Sequence, residues 1–302
     1  MKAQKLKSNL FLLAAALIWG FAFVAQRLSV DYIEPFTFNS IRFILGSISL
    51  LPLIFFMRKK KNHEPDNEKG KKNPLFAGIL AGSVLFIGAS LQQIGLIETT
   101  AGKAAFITGL YIVIVPILGI FLKQYVRLST WMGVLVAIAG LYLLCVMEDF
   151  TISRGDLFEL FGAFFWALHI IIIDRFSGEV DSLLLSCFQF LTCAMLSGAA
   201  ALLFEDITIE GIVGAGVPIL YGGICSVGIA YTLQVMGQKH AEPSHAAIIL
   251  SMETVFASLG GFIILNENLG ARGYMGCALM LLGMLLSQMQ NFTRKESIAV
   301  NS

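Results

Sequence analysis

Charge is scarce in this chain. Only 14% of its 302 residues are Asp, Glu, Lys or Arg, against about 25% in ordinary soluble proteins. Those few nearly cancel, 21 basic against 20 acidic, for a formal net charge of +1. Such a balance excludes a basic nucleic-acid-binding surface, an acidic disordered tail and most water-soluble enzyme folds. Cysteine is sparse too. Cys145, Cys187, Cys193, Cys225 and Cys277 all lie in apolar stretches, with no CxxC and no Cys/His ligand spacing. Neither zinc nor a disulfide framework is indicated, and these residues read as small packing groups. His240 and His245 straddle Pro243 and do not share a helix face. A GxxxxGK[ST] loop, an HExxH, a GxSxG and a credible Ser/His/Asp constellation are all missing. The chain is therefore expected to hydrolyse no ATP by itself and to have no catalytic residues, metal ligands or cofactor.

Apolar residues dominate instead, at 57%. The longest polar stretch, Arg58 to Pro74, is too short for a soluble domain. The remainder divides into ten runs, at 9–26, 35–56, 74–97, 103–122, 129–147, 155–173, 182–204, 212–236, 244–265 and 271–290. Each is near the roughly 20 residues that cross about 30 Å of hydrocarbon. An all-α membrane protein with ten transmembrane helices is expected. Pro35, Pro74 and Pro243 suit a first helical turn, where a missing N–H costs nothing. Ser129 and the Asp181-Ser182 pair offer N-caps, and Ser153 with Asp156 resembles a capping box. Lys2, Lys5 and Lys7 before an apolar run could imitate a signal peptide. The first span has a partner later in the chain, however, and reads as a true span.

Orientation follows the Lys/Arg bias of the loops. With both termini in the cytoplasm, 16 basic residues lie inside and four outside: Arg27, Lys103, Arg154 and Arg272. Arg42 remains within the second span. The sequon at Asn291–Thr293 falls at an expected cytoplasmic end and carries no weight.

The two halves resemble each other. Gln92, Gly95, Ala104 and Ala105 recur 142 positions later as Gln234, Gly237, Ala246 and Ala247. Trp131-Met132-Gly133 and Gly140 recur, after a one-residue shift, as Tyr274-Met275-Gly276 and Gly283. Trp19 matches Trp166, and at that same offset of 147 Arg42 matches Gln189. The expected division is a first repeat at 1–147, a second at 148–290 and a cytoplasmic tail at 291–302. Five spans per half, an odd number, would turn the second half upside down. Inverted repeats around a central cavity are typical of secondary transporters, which expose a midplane site alternately to each side.

With these residues in view, the chain resembles the EamA family of the drug/metabolite transporter superfamily over about residues 9–290. The resemblance rests on Leu17-Ile18-Trp19-Gly20, on Pro35 with Arg42, and on the stretch from Gly95 through Ala105 to Pro116. In the second half it rests on Ala241-Glu242-Pro243 leading to Ala246-Ala247, then on Glu253 and Asn266-Glu267. Thr254 stands where the family more often has proline, which is expected to leave the ninth span straighter than Pro116 leaves the fourth. The resemblance implies a ten-helix bundle moving a small organic solute by alternating access, with spans five and ten at the periphery.

Ionisable groups inside a bilayer cost about 2.5–3.5 kcal/mol on insertion scales and mark candidate sites. Glu253, about 13 Å into the ninth span, could bind an amine or carry a proton, or serve only packing. Arg42 could hold a carboxylate with its bidentate fork, or pair with Glu253. Gln92, Gln93, Gln189 and Gln234 can bond in both senses, as substrate ligands or as glue between helices. Gln189 is the natural partner of Arg42 in one cavity. Tyr111 stands at the position equivalent to Glu253, and Tyr231 one turn before Gln234. Trp19, Trp166 and His169 complete the candidates. Glu159 reads as support for a helix N-terminus beside water.

The expected function is secondary active or facilitative transport of small polar or amphiphilic metabolites, amino acids or related compounds above all, as export. The partners would be the solute, the lipid bilayer and no nucleic acid; proton coupling and a homodimer are both compatible with the sequence. Uptake of a vitamin or nucleotide-like solute remains open, as do a membrane-embedded enzyme using Asp156, Glu159 and His169 and a non-transporting assembly subunit. Only Arg42 and, at the rim, Lys103 could face a cavity as cations, which argues against polyanions.

Overall fold

The computed structural model describes residues 2–61, 73–123, 126–145, 153–265 and 270–299. Among them every regular element is helical. In chain order these are α1 (Lys2–Ser29), α2 (Pro35–Lys61), α3 (Pro74–Glu98), α4 (Ala101–Gly109), α5 (Tyr111–Phe121), α6 (Leu128–Cys145) and α7 (Arg154–Ser177). There follow α8 (Ser182–Phe204), α9 (Ile209–Gly214) and α10 (Gly216–Leu220), a π-helical segment (Tyr221–Tyr231), α11 (Thr232–Gln238), α12 (Pro243–Leu250), α13 (Glu253–Leu265) and α14 (Gly270–Ala299).

Eight stretches are long and apolar enough to cross a bilayer: Gln4–Ser29, Pro35–Phe56, Pro74–Glu98, Ala101–Phe121, Arg154–Ser177, Ser182–Phe204, Gly216–Gln238 and Pro243–Ile264. The two remaining sequence-expected spans correspond to shorter apolar helices, Leu128–Leu143 and Gly270–Leu286. Large apolar side chains such as Phe121, Leu202, Leu203, Phe204 and Val217 stand more than 70% exposed on the outside of the bundle. In water that pattern would drive aggregation; against acyl chains it is the expected exterior. The chain is a multi-pass α-helical membrane protein.

Local chemistry sets several helix starts. Asn73 caps α3 by accepting from the Leu75 amide at 2.9 Å, with Pro74 in the first turn. Asp181 accepts from the amides of Leu183 and Leu184 to start α8. Ser153 and Asp156 form a reciprocal capping box on α7. The cap expected at Ser129 is not formed. The helix begins one residue earlier, at Leu128, so Ser129 falls inside the first turn and its hydroxyl is buried without a partner. At the opposite end of the bundle from Lys7 and Lys239, Glu205 just beyond α8 accepts from the amides of Phe36 and Thr37 and from the Thr37 hydroxyl, at 2.6–2.7 Å. One carboxylate thereby caps α2 and ties its start to the end of α8.

Small residues set which helices touch. A Cβ at Gly82 would stand 2.5 Å from the Gln189 carbonyl, so α3 and α8 cross backbone to backbone. A Cβ at Gly140 would meet the Gly276 carbonyl at 2.6 Å, and one at Gly283 the Gly133 carbonyl at 2.6 Å. Helices α6 and α14 therefore pack through a reciprocal, glycine-lined seam.

Three spans are irregular. The fourth breaks at Leu110 and the ninth at Ser251–Met252. The ninth span is interrupted although it lacks a proline after Glu253, and the fourth breaks six residues before Pro116 rather than at it. The cause lies where the two spans cross. Thr254 donates its hydroxyl to the Ala105 carbonyl at 3.0 Å, and a Cβ on Gly109 would sit 3.0 Å from the Thr254 Oγ1. Ser251 turns its hydroxyl back onto the Ile248 carbonyl at 2.8 Å, offering the backbone a local alternative to the helical ladder. The third irregularity is the π-helical run of 11 residues in the eighth span. π-Geometry is rare and concentrates at functional sites.

Candidate functional site

A small pocket, about 40 Å³ of free space, lies at the centre of the bundle. Its wall includes Trp19, Gln26, Arg42, Gln92, Thr108 and Tyr111, and from the second half Trp166, Ser226, Tyr231, Gln234 and Glu253. Both breaks open onto it, since Tyr111 begins α5 and Glu253 begins α13.

Arg42 is 2% exposed, carried by α2. Its Nε donates to Asn39 Oδ1 at 2.9 Å, and Asn39 in turn donates to the Ala89 carbonyl on α3 at 3.1 Å. The guanidinium carbon stands 5.1 Å from the Phe38 ring centre and 5.0 Å from that of Phe43. Contacts of this kind contribute about 0.5–2 kcal/mol each when desolvated. They orient the cation, while among the described residues its two terminal nitrogens bond to no side chain. No ion pair joins it to Glu253. Glu253 is 4% exposed and accepts from the Tyr111 hydroxyl at 2.9 Å through Oε1. Positions 111 and 253, expected from the sequence to be equivalent, thus meet at the pocket.

The aromatic wall centres on Tyr231. Its ring lies 4.7 Å from that of Trp19, edge-on, and 6.2 Å from that of Trp166, stacked. The Trp19 indole donates to the Ser226 carbonyl at 3.2 Å, so the π-helical segment supplies both a ring and a backbone acceptor. Gln92 donates to Gln26 Oε1 at 3.1 Å, whereas Gln234 turns into the wall with its side-chain oxygen unpartnered.

Three sequence candidates do not reach this pocket. Gln93 is fully buried and donates to the Gln26 carbonyl and the Ser29 hydroxyl, linking α3 to α1. Gln189 does not join Arg42: its Oε1 lies 2.9 Å from His169 Nε2, and both side chains are buried, the His169 ring 6.0 Å from that of Tyr231. The reason in each case is helical phase, which turns these side chains onto a neighbouring helix. Glu159 is not beside water either. It is fully buried, accepting from the Thr108 hydroxyl at 3.0 Å. Lys103 is taken up by Asp156, which also accepts from Thr99. Asn266-Glu267 lies outside the described residues.

Gln26, Thr108 and Ser226 line the pocket without having been singled out from the sequence. Among them Gln26 carried a usable signal, an amide near the middle of an apolar span; Thr and Ser occur in such helices too often to stand out.

Between the pocket and the chain's Lys7 and Lys239 end, hydrogen bonds close the bundle. Ser8 bonds to the Gly237 carbonyl, Gln238 to the Ile170 carbonyl at 2.8 Å, and His245 to Asn9 at 3.2 Å. Beyond this layer a wider polar recess is lined by Lys7, Glu179, Asp181, Lys239 and His240. Among the described residues, no group of three or more His, Cys, Asp or Glu could hold a metal ion.

A membrane-embedded helical bundle with interrupted spans meeting at a small, internally charged pocket defines a membrane transporter. The EamA-like transporter family matches this chain twice, over residues 6–146 and 153–289, and the chain belongs to that family. It is 31% identical over 284 residues to an uncharacterized transporter of Archaeoglobus fulgidus, with 94% of this chain and 86% of that protein aligned. It is 21% identical to the uncharacterized transporter YoaV of Bacillus subtilis, covering 96% and 99% of the two chains. A solved crystal structure, titled only as that of a protein, shares the fold with a TM-score of 0.76 at 19% identity, over 94% of this chain and 96% of the other.

Proposed function

We propose that this transporter carries small solutes bearing both an amine and a carboxylate, amino acids or related amphiphilic metabolites, out of the cell by alternating access. The observation that carries the reading is that Arg42 and Glu253, groups of opposite charge type, line one aromatic-walled pocket. The terminal nitrogens of Arg42 form a planar fork suited to a carboxylate. Glu253 offers an oxygen to an ammonium group, and Trp19, Trp166 and Tyr231 offer faces to an aliphatic or aromatic side chain. The space free in this conformation, about 40 Å³, holds only a few waters, so a solute enters once the helices move apart. A single fixed cation suits one carboxylate better than a phosphate chain.

The mechanism is read as two inverted five-helix halves rocking about the pocket. The two family matches, one per half, support it. So does the reciprocity of the packing: α6 meets α14 through equivalent glycines, and Tyr111 meets its equivalent, Glu253. The layer of bonds joining Ser8 to Gly237 and Gln238 to Ile170 would be the gate on the cytoplasmic side, where the basic loops place both termini. Glu253 would bind either the solute amine or a proton, which makes coupled and facilitative transport two arms of one test.

That test is flux in proteoliposomes loaded with a panel of radiolabelled L-amino acids, with and without a pH gradient. Movement of at least one amino acid that Arg42→Gln abolishes is the expected result. Flux of none of them, or flux indifferent to Arg42→Gln, removes the zwitterion reading. Flux that ignores both the gradient and Glu253→Gln removes the proton-carrying role.

A further inference from the structure

Glu159 has no part in the pocket wall, yet it is the more deeply enclosed carboxyl of the two. It projects from α7 five residues past the start of the helix, at 0% exposure. Its Oε2 accepts from the Thr108 hydroxyl at 3.0 Å, and its Oε1 is buried with no partner. The neighbouring backbone is held close enough that a Cβ on Gly95 would sit 2.9 Å from both Cγ and Oε1. Thr108 itself lines the central pocket. One hydroxyl therefore separates this carboxyl from the solute's space.

The nearest charged groups lie towards the start of α7. Asp156 lies one helical turn nearer the start of α7, at 4% exposure, bonded to Thr99 and paired with Lys103, whose side chain is 24% exposed. The titratable and charged groups facing Glu159 are thus Asp156 on its own helix, Lys103 on α4 behind Asp156, Glu98 at the end of α3 against Gly155, and Glu253 on α13 with its partner Tyr111 on α5. Nothing cationic bonds to Glu159 among the described residues.

We propose that Glu159 is a second proton-binding carboxyl, and that Thr108 transmits its state to the pocket. The inference rests on the central pocket being the solute site. While Glu159 is ionised, Thr108 donates to Oε2 and presents only lone pairs to the pocket. When a proton from the aqueous side forms an O–H bond at Oε2, Glu159 becomes the donor, and the threonine hydrogen is freed to point into the pocket. One proton then reverses the hydrogen-bonding sense of a wall group, from acceptor of an ammonium to donor to a carboxylate. The proton leaves a hydronium ion, which becomes water, and no other covalent bond changes.

The experiment needs no identified solute. The full chain in lipid is followed by infrared difference spectroscopy of the protonated-carboxyl C=O band as pH is stepped from alkaline to acidic. Two titrating components are expected, one lost in Glu159→Gln and the other in Glu253→Gln. Thr108→Val should move the Glu159 component by about tenfold in proton affinity, the size of one hydrogen bond to a charged group, and leave the Glu253 component in place. Thr108→Ser should restore it. A spectrum unchanged by Glu159→Gln overturns the proposal, and so does a Glu159 component indifferent to Thr108→Val. Should Glu159→Gln fail to fold, the Thr108→Val and Thr108→Ser pair decides alone. A spectrum unchanged by Glu253→Gln would sink the proton role of Glu253 and leave Glu159 standing.

Discussion

At the scale of single residues, the site depends on how Arg42 is held. Its Nε is committed to Asn39 and its flat face to Phe38 and Phe43, which leaves the fork pointing in one direction. Lysine would keep the charge and lose the stacking and the two-pronged geometry. Arg42→Lys should therefore retain folding, measured by thermal stability in detergent, yet lower amino-acid flux by about tenfold or more, the worth of one lost charge-assisted bond. Asn39→Ala should produce a similar loss at one remove, by letting Arg42 swing, and raising the solute concentration should recover part of it. Tyr111→Phe deletes the hydroxyl that Glu253 accepts. Leaving a buried acceptor unpaired costs about 1–3 kcal/mol, so this variant should unfold at lower temperature than wild type.

At the scale of elements, the glycine seam between α6 and α14 makes the cleanest prediction. Gly140→Leu must push apart two backbones already in contact at the Gly276 carbonyl. A loss of several degrees in thermal midpoint is expected, from overpacking of about 1–3 kcal/mol. Because both helices stand apart from the pocket wall, the flux of whatever protein remains folded should be unchanged. A flux defect equal to that of Arg42→Lys would count against a purely supporting role for this pair. Helix existence was legible in the sequence for a plain reason: hydrocarbon demands long apolar runs, and proline, Asp181 and Ser153 mark starts by unmet backbone donors. The breaks at Leu110 and Ser251 were not legible. They come from a hydroxyl and a glycine meeting between spans distant in sequence, and proline, the usual signal, sits six residues from one break and is missing from the other.

At the scale of the whole molecule, composition and the internal repeat pointed to a transporter, but only the fold shows which polar groups share a space. Arg42, Glu253, Gln92, Gln234, Tyr111, Tyr231, Trp19 and Trp166 line the pocket, whereas Gln93, Gln189 and His169 do not. The difference is a rotation about a helix axis of one or two residues, which hydropathy cannot register when a span is buried on several sides. The sidedness inferred from the loops gives one more expected outcome. A reporter fused after Ser302 that matures only in the cytoplasm should be active, and the same reporter inserted between Glu205 and Ile209 should be silent. The reverse pattern would place the basic loops outside.

Glu205 bears on how any motion could proceed. Holding two amides and a hydroxyl of the α2 start from the far end of α8, it acts as a rivet between one helix of each family-matched segment. Two rods riveted at their tips can pivot there but cannot part. If the bundle opens on that side, the mouth is expected elsewhere, among α1, α3, α4 and α7.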